Sequence, residues 1–140
     1  MADAALDPAL QAIVERVKAA RDAKTPLAIT GGGTKAFYGE AIAGEVLPTT
    51  ALTGISAHEP SELVVTVRAG TPLAELEAAL AAKDQQLAFE PPRFGPGGTV
   101  GGMVAAGLAG PARAVAGGVR DYLLGATLLN GRGEVLSFGG

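Results

Sequence analysis

The sequence predicts an α+β fold, and three observations carry that assignment. Two stretches repeat apolar residues at helical spacing behind a residue–proline start signal, at Asp7-Pro8 and at Thr71-Pro72. A β-branched run, Leu63-Val64-Val65-Thr66-Val67, is bounded by a turn and by Ala69-Gly70 and reads as a strand. Near the end, Asn130-Gly131-Arg132-Gly133 separates two apolar runs, which is the signature of an antiparallel hairpin.

The elements follow in order. Asp7 is the expected N-cap of a first helix, with Pro8 at its first position. Leu10, Ile13, Val14 and Val17 form its apolar stripe and Glu15, Arg16 and Lys18 its polar side, so an amphipathic helix ends near Arg21. Leu27-Ala28-Ile29-Thr30 follows Pro26 as a short buried strand and runs straight into Gly31-Gly32-Gly33. Val46-Leu47, stopped by Pro48, and Ile55 to His58 read as further extended pieces. Glu59-Pro60-Ser61-Glu62 is a turn before the Leu63–Val67 strand. Leu73, Leu76 and Leu80 mark a second helix reaching about Lys83, capped at Thr71-Pro72. Gln86 to Phe89 is a short extended piece ahead of Pro91-Pro92. A small-residue run from Thr99 to Gly107 can start a third helix, and Gly110 to Gly118 reads as a loop. Leu123–Leu129 and Glu134–Phe138 are the strands of the closing hairpin.

Composition narrows the function classes. A chain of 140 residues makes one domain, or two small subdomains sharing a core. Its net charge of −3 has no basic stripe, and aromatics make up only 4%, which argues against a nucleic-acid partner. The absence of cysteine removes disulfides, thiolate metal sites and cysteine nucleophiles. With one histidine, His58, no zinc or copper site is expected, and no metal is assigned. The acidic start Met1-Ala2-Asp3 lacks the basic region of a signal peptide, and no apolar run reaches about 18 residues, so a cytoplasmic protein is expected.

The 21 glycines are about twice the usual share and concentrate in two clusters. Gly31-Gly32-Gly33-Thr34-Lys35-Ala36 formally fits a dinucleotide fingerprint, but Phe37-Tyr38-Gly39 would break the helix that fingerprint must open. A phosphate-binding P-loop fails too, because it needs lysine before the hydroxyl residue, and here Thr34 precedes Lys35. Several N–H donors and one cation after a strand suit a phosphate, while a tight turn with an exposed lysine is the plainer alternative. The second cluster, Gly97-Gly98-Thr99-Val100-Gly101-Gly102, suits close backbone approach to a ligand or tight helix–sheet packing. Two such loops about 65 residues apart suit an extended dinucleotide with two contact zones, and a flavin dinucleotide best of all.

At this point several motifs resemble one family. Thr30 to Lys35 resembles the first pyrophosphate loop of the vanillyl-alcohol-oxidase type FAD-binding domain, the PCMH-type domain. Leu63 to Leu73 is similar to its following strand and turn, Gly98-Thr99-Val100-Gly101-Gly102 to its second FAD loop, and Gly118 to Gly125 to the approach of the next strand. Gly32–Gly39, Leu87–Pro92 and Ala105–Pro111 resemble the glycolate-oxidase branch, and the likeness covers about residues 25 to 140. The resemblance implies an α+β fold of two subdomains with FAD between them, here 1–55 and 56–140, the second incomplete at its C-terminus. It implies cofactor contacts from Gly31, Gly32, Gly33, Thr34 and Lys35 to the pyrophosphate. It adds Gly98, Thr99, Gly101 and Gly102 on the pyrophosphate and flavin side, with Gly117 and Val119 lining the cofactor further on. Many relatives carry an asparagine-like residue where this chain has Gly107, so only backbone contacts are expected there. Covalent attachment of the flavin is not expected, since there is no cysteine and His58 lies outside the loops.

The resemblance further implies an FAD-dependent oxidoreductase that oxidises a small 2-hydroxy acid, glycolate to glyoxylate. It would work beside a second flavoprotein subunit and an iron–sulfur subunit, and would reach the inner membrane only through them. Two other readings stay open: a relative acting on another acid such as D-lactate, and a non-catalytic nucleotide- or partner-binding module. No general base is assigned. His58 reads as a structural or exposed histidine, Arg120-Asp121 as a flavin-site pair or an ion pair at a strand start, and Glu90 as a ribose contact or a solvated turn carboxylate. Because the sequence stops at Gly139-Gly140 just behind a strand, the 140-residue chain by itself is expected to bind FAD weakly or not at all.

Overall fold

Asp7 starts the first helix as its sequence demands: its Oδ1 accepts from the Ala9 N–H at 3.0 Å, with Pro8 at the first helical position. The computed structural model describes residues 7–140. Helix α1 (Pro8–Ala23) buries Ile13, Val14, Val17 and Ala20 along one stripe and ends on Lys24 in the left-handed region. Strand β1 (Leu27–Thr30) pairs in parallel with β2 (Glu45–Pro48), in register from Leu27 opposite Glu45 to Thr30 opposite Pro48. Parallel strands need a long crossover. Here residues 31–44 make it, as turns and bends with no helix. The first glycine cluster therefore lies in an irregular crossover at the C-terminal end of β1. A second parallel strand does follow it, but β2 ends on Pro48 rather than on an acid, so the structure is not a Rossmann unit.

The next layer is antiparallel. Strand β3 (Ile55–Glu59) and β4 (Val64–Val67) are joined by a 3₁₀ turn at Pro60–Glu62, and a bulge lies between Ile55 and Ala57. Leu63, expected in the strand, instead takes φ 57° as the cap of that turn. Helix α2 (Leu73–Ala81) buries Leu73, Leu76 and Leu80, the stripe its spacing predicts. Its start departs from expectation. The Thr71 side chain does not cap the helix. It is fully buried and joins both polar groups of Gly54, accepting from the N–H at 2.9 Å and donating to the C=O at 3.2 Å. Burial of a hydroxyl demands such partners.

Helix α3 (Val100–Ala106) forms from the small-residue run and ends at Gly107. The 110–118 stretch contains a helical turn, α4 (Arg113–Ala116), and a second turn, α5 (Val119–Tyr122), precedes β5 (Gly125–Leu129). The Gln86–Phe89 stretch is not paired as a strand, and Phe89 is buried in the core instead. Strand β5 pairs antiparallel with β6 (Val135–Gly139). The Asn130 N–H donates to Glu134 O at 3.0 Å, and Gly133 at φ 77° supplies the left-handed residue of the three-residue turn.

Two apolar clusters result. One gathers Leu73, Leu76, Leu80, Phe89, Val100, Met103 and Val119. The other gathers Ile13, Val17 and Leu47, with Leu27, Leu52 and Leu129 packed against it. Leu129 belongs to the last hairpin, whose turn also lies on α1, where Arg21 Nη1 donates to Arg132 O at 3.2 Å. Among the described residues no helix is long and apolar enough to cross a membrane.

The Thr71 arrangement gives a stability test. Thr71→Val keeps the volume and strands both Gly54 groups, so about 1–3 kcal/mol should be lost in urea unfolding of the full chain. Thr71→Ser, which keeps the hydroxyl, should lose less.

Candidate cofactor site

The two glycine clusters meet. A Cβ on Gly32 would overlap the Gly97 carbonyl. One on Gly31 would lie 2.5 Å from Thr99 Oγ1, while one on Gly98 would sit at an ordinary 3.5 Å from Thr34 Oγ1. Only a residue without a side chain allows this approach at Gly32. No hydrogen bond joins residues 31–44 to residues 90–99 among the described residues, so the loops touch through van der Waals contact alone.

What the loops offer differs between them. None of the backbone N–H groups of Gly31, Gly32, Gly33, Thr34 and Lys35 donates to a protein group among the described residues. Five consecutive free donors are a concentration of positive dipole suited to anionic oxygens. Lys35 has no ion-pair partner among the described residues, so its charge is available beside that row. The N–H groups of Gly98 and Thr99 are free as well. From Val100 onward the donors are consumed internally. Val100 N–H donates to Thr71 O at 2.9 Å, Gly101 N–H to Ala69 O at 2.7 Å, and Gly102 N–H to Thr99 Oγ1 at 3.1 Å. Gly101 and Gly102 therefore bring space rather than donors. A Cβ on Gly101 would stand 2.8 Å from the Ala69 Cβ, so the glycine lets α3 seat against the turn after β4. Ala69 is a partner that sequence reasoning missed, because only tertiary contact reveals it.

Gly117 and Val119 fall in a second zone. They line a cleft of about 480 Å³ together with Val104, Gly107, Gly118, Leu123 and the charged Arg113, Arg120 and Asp121. Helix α3 joins the zones: Thr99 caps its start at the loop contact, and Val104 and Gly107 at its other end line the cleft. Seven residues at 1.5 Å each separate them by about 10 Å. An elongated ligand with an anionic middle suits that spacing.

The other candidates have structural employment. Asp121 Oδ2 accepts from the Gly118 N–H at 2.8 Å, and Arg120, with its side chain 95% exposed, stands 4.0 Å from it as a loose surface pair. Glu90 Oε1 accepts from the Ala112 N–H at 2.7 Å and so ties the two turns together. His58 Nε2 lies 3.3 Å from Gln85 Oε1, and among the described residues it has no hydrogen bond or ion pair to a carboxylate or nucleophile. Among the described residues no cluster of His, Cys, Asp and Glu could hold a metal.

Residues 9–139 match the model of the FAD-binding domain family, which is nearly the whole chain. The chain belongs to that family. Its cofactor is FAD, and the donor row, the side-chain-free contact and the cleft beyond α3 fit a dinucleotide of that shape. As an FAD-binding domain, the chain is also 48% identical over 130 residues to glycolate oxidase subunit GlcE of Escherichia coli strain K12. That alignment spans 93% of this chain but 37% of the relative. Among solved structures, Phl p 4.0202, a glucose dehydrogenase, superposes with a TM-score of 0.72 at 17% identity over 92% of this chain and 27% of its own. The glucooligosaccharide oxidase of Acremonium strictum superposes at 0.70 with 23% identity, over 93% of this chain and 27% of its own. At such identities these structures speak for the fold, the α+β FAD-binding fold expected from the motifs.

The contact geometry separates two glycines that look alike in sequence. In the full chain, Gly32→Ala should strip most bound flavin, because its methyl must push the Gly97 carbonyl away. Gly98→Ala, with ordinary clearance, should keep flavin near the wild-type level. The ratio of 450 nm to 280 nm absorbance after purification reads both.

Proposed function

We propose that this chain is the cofactor-holding part of an FAD-dependent oxidoreductase that oxidises a 2-hydroxy acid, with glycolate to glyoxylate as the reaction. The observation that carries the reading is the row of free N–H groups on Gly31 to Lys35 against the glycine-walled edge of the second loop. The 48% identity to a glycolate oxidase subunit supports the substrate class.

In this reading the five amides of Gly31, Gly32, Gly33, Thr34 and Lys35 and the Lys35 ammonium hold the pyrophosphate. Gly98 and Thr99 add donors from the facing loop, and Gly101 and Gly102 keep the helix start low enough for the dinucleotide to pass. Gly117 and Val119 line its continuation along the cleft. Bound FAD supplies a ring that accepts a hydride equivalent from the carbon bearing the hydroxyl. The protein's part is to bind and orient that ring. The division into 1–55 and 56–140 follows the two apolar clusters, except that Leu129 and the hairpin turn lie on the first.

The chain works as a subunit, beside a second flavoprotein subunit and an iron–sulfur subunit that take the electrons onward. It carries no cysteine and so holds no cluster of its own. Any association with the inner membrane runs through those partners.

The full chain with its accompanying subunits should be yellow, and anaerobic glycolate should bleach the flavin band. Bleaching by D-lactate but not glycolate would move the substrate to the other acid. A colourless protein that gains neither absorbance nor thermal stability with added FAD would overturn the cofactor assignment.

A further inference from the structure

We infer that Phe37 and Phe94 form a clasp that fixes the spacing of the two glycine loops, making them positioning residues for the cofactor. The inference rests on the FAD reading above. Phe37 follows the first loop and Phe94 precedes the second. Their rings meet edge to face, with centroids 4.9 Å apart and planes at 76°. Phe37 is 66% exposed and Phe94 48%, and neither belongs to either apolar cluster. Their contact therefore adds little to the core. Its location gives it a purpose. Both flanking segments are irregular, and no hydrogen bond links them among the described residues. Between the glycine clusters themselves, Gly31, Gly32 and Gly98 lie close against Thr99, Gly97 and Thr34. With so few atoms involved, such contacts resist approach strongly and separation only weakly. An edge-to-face aromatic pair supplies that missing attraction, and its geometric preference also sets a distance.

Holding the loops together before the ligand arrives spares the ligand that ordering cost, so the clasp acts on affinity. An aromatic pair of this kind corresponds to a factor of about 2- to 12-fold in an equilibrium constant. The test uses the full chain with its accompanying subunits, stripped of flavin and titrated with FAD. Phe37→Ala and Phe94→Ala should each weaken FAD binding by about 2- to 12-fold. The double variant should be no weaker than the poorer single, because either change opens the same clasp. Phe37→Tyr, which keeps the ring, should restore affinity. In free-energy terms, the flavin-free protein should lose less stability in the alanine variants than the affinity loses.

Unchanged affinity in the alanine variants would overturn the clasp while leaving the cofactor reading intact. So would losses that multiply in the double variant, or losses matched in free energy by the lost flavin-free stability, which would mark an ordinary structural contact. If the wild type itself takes up no FAD, and Gly32→Ala behaves identically, the cofactor reading falls and the clasp falls with it.

Discussion

The close contact between Gly32 and the Gly97 carbonyl is the constraint on which the site depends. Two irregular segments from distant parts of the chain approach until no side chain fits between them. Each is anchored from behind by a different device. The first hangs from the parallel pair of β1 and β2, whose crossover it forms. The second is stitched to the turn after β4: Leu73 N–H donates to Gly98 O, Val100 N–H to Thr71 O, and Gly101 N–H to Ala69 O, at 2.7–2.9 Å. That stitching satisfies the amides a helix start would otherwise leave open. The consequence is a division of labour. Helix α3 spends its donors on the fold, and the loop after β1 leaves its donors without a protein acceptor among the described residues.

Buried Thr71 shows how closely the fold and the site are joined. Its hydroxyl fastens Gly54, at the approach to β3, to the turn that receives the second loop. Gly70 sits against the Thr49 and Leu52 carbonyls in the same place and donates to Leu52 O at 2.7 Å. The turn between β4 and α2 is thus the junction of three segments: the stretch after β2, the approach to β3, and the second glycine loop. Movement there would be felt at the second glycine loop, which is bonded to the junction through Thr71 O and Ala69 O.

Much of this was legible in the sequence. Asp7-Pro8, the Leu73-Leu76-Leu80 stripe, the β-branched run before Arg68 and the hairpin around Asn130 each state a local preference strong enough to survive folding. The errors have a common cause. Thr71 looked like a helix cap because threonine before proline usually is one, yet burial gave its hydroxyl to Gly54. Leu63 looked like a strand residue, yet the turn from Pro60 needed a left-handed cap there. The turns at Arg113–Ala116 and Val119–Tyr122 were invisible because four residues carry too little periodicity to read.

The glycine clusters show where sequence stops. Local composition determined that two glycine-rich loops exist, that one ends in a lysine and follows a strand, and that this one cannot open a Rossmann helix. It could not say which amides remain free. That depends on which carbonyls lie within reach, and Ala69, Thr71 and Gly97 come within reach only when segments some 30 to 65 residues apart are packed together. Nor could it say which glycine is indispensable, since Gly32 and Gly98 differ only in what stands opposite them. Backbone conformation is written locally, whereas donor availability and clearance are properties of neighbours, and the tertiary structure alone chooses the neighbours.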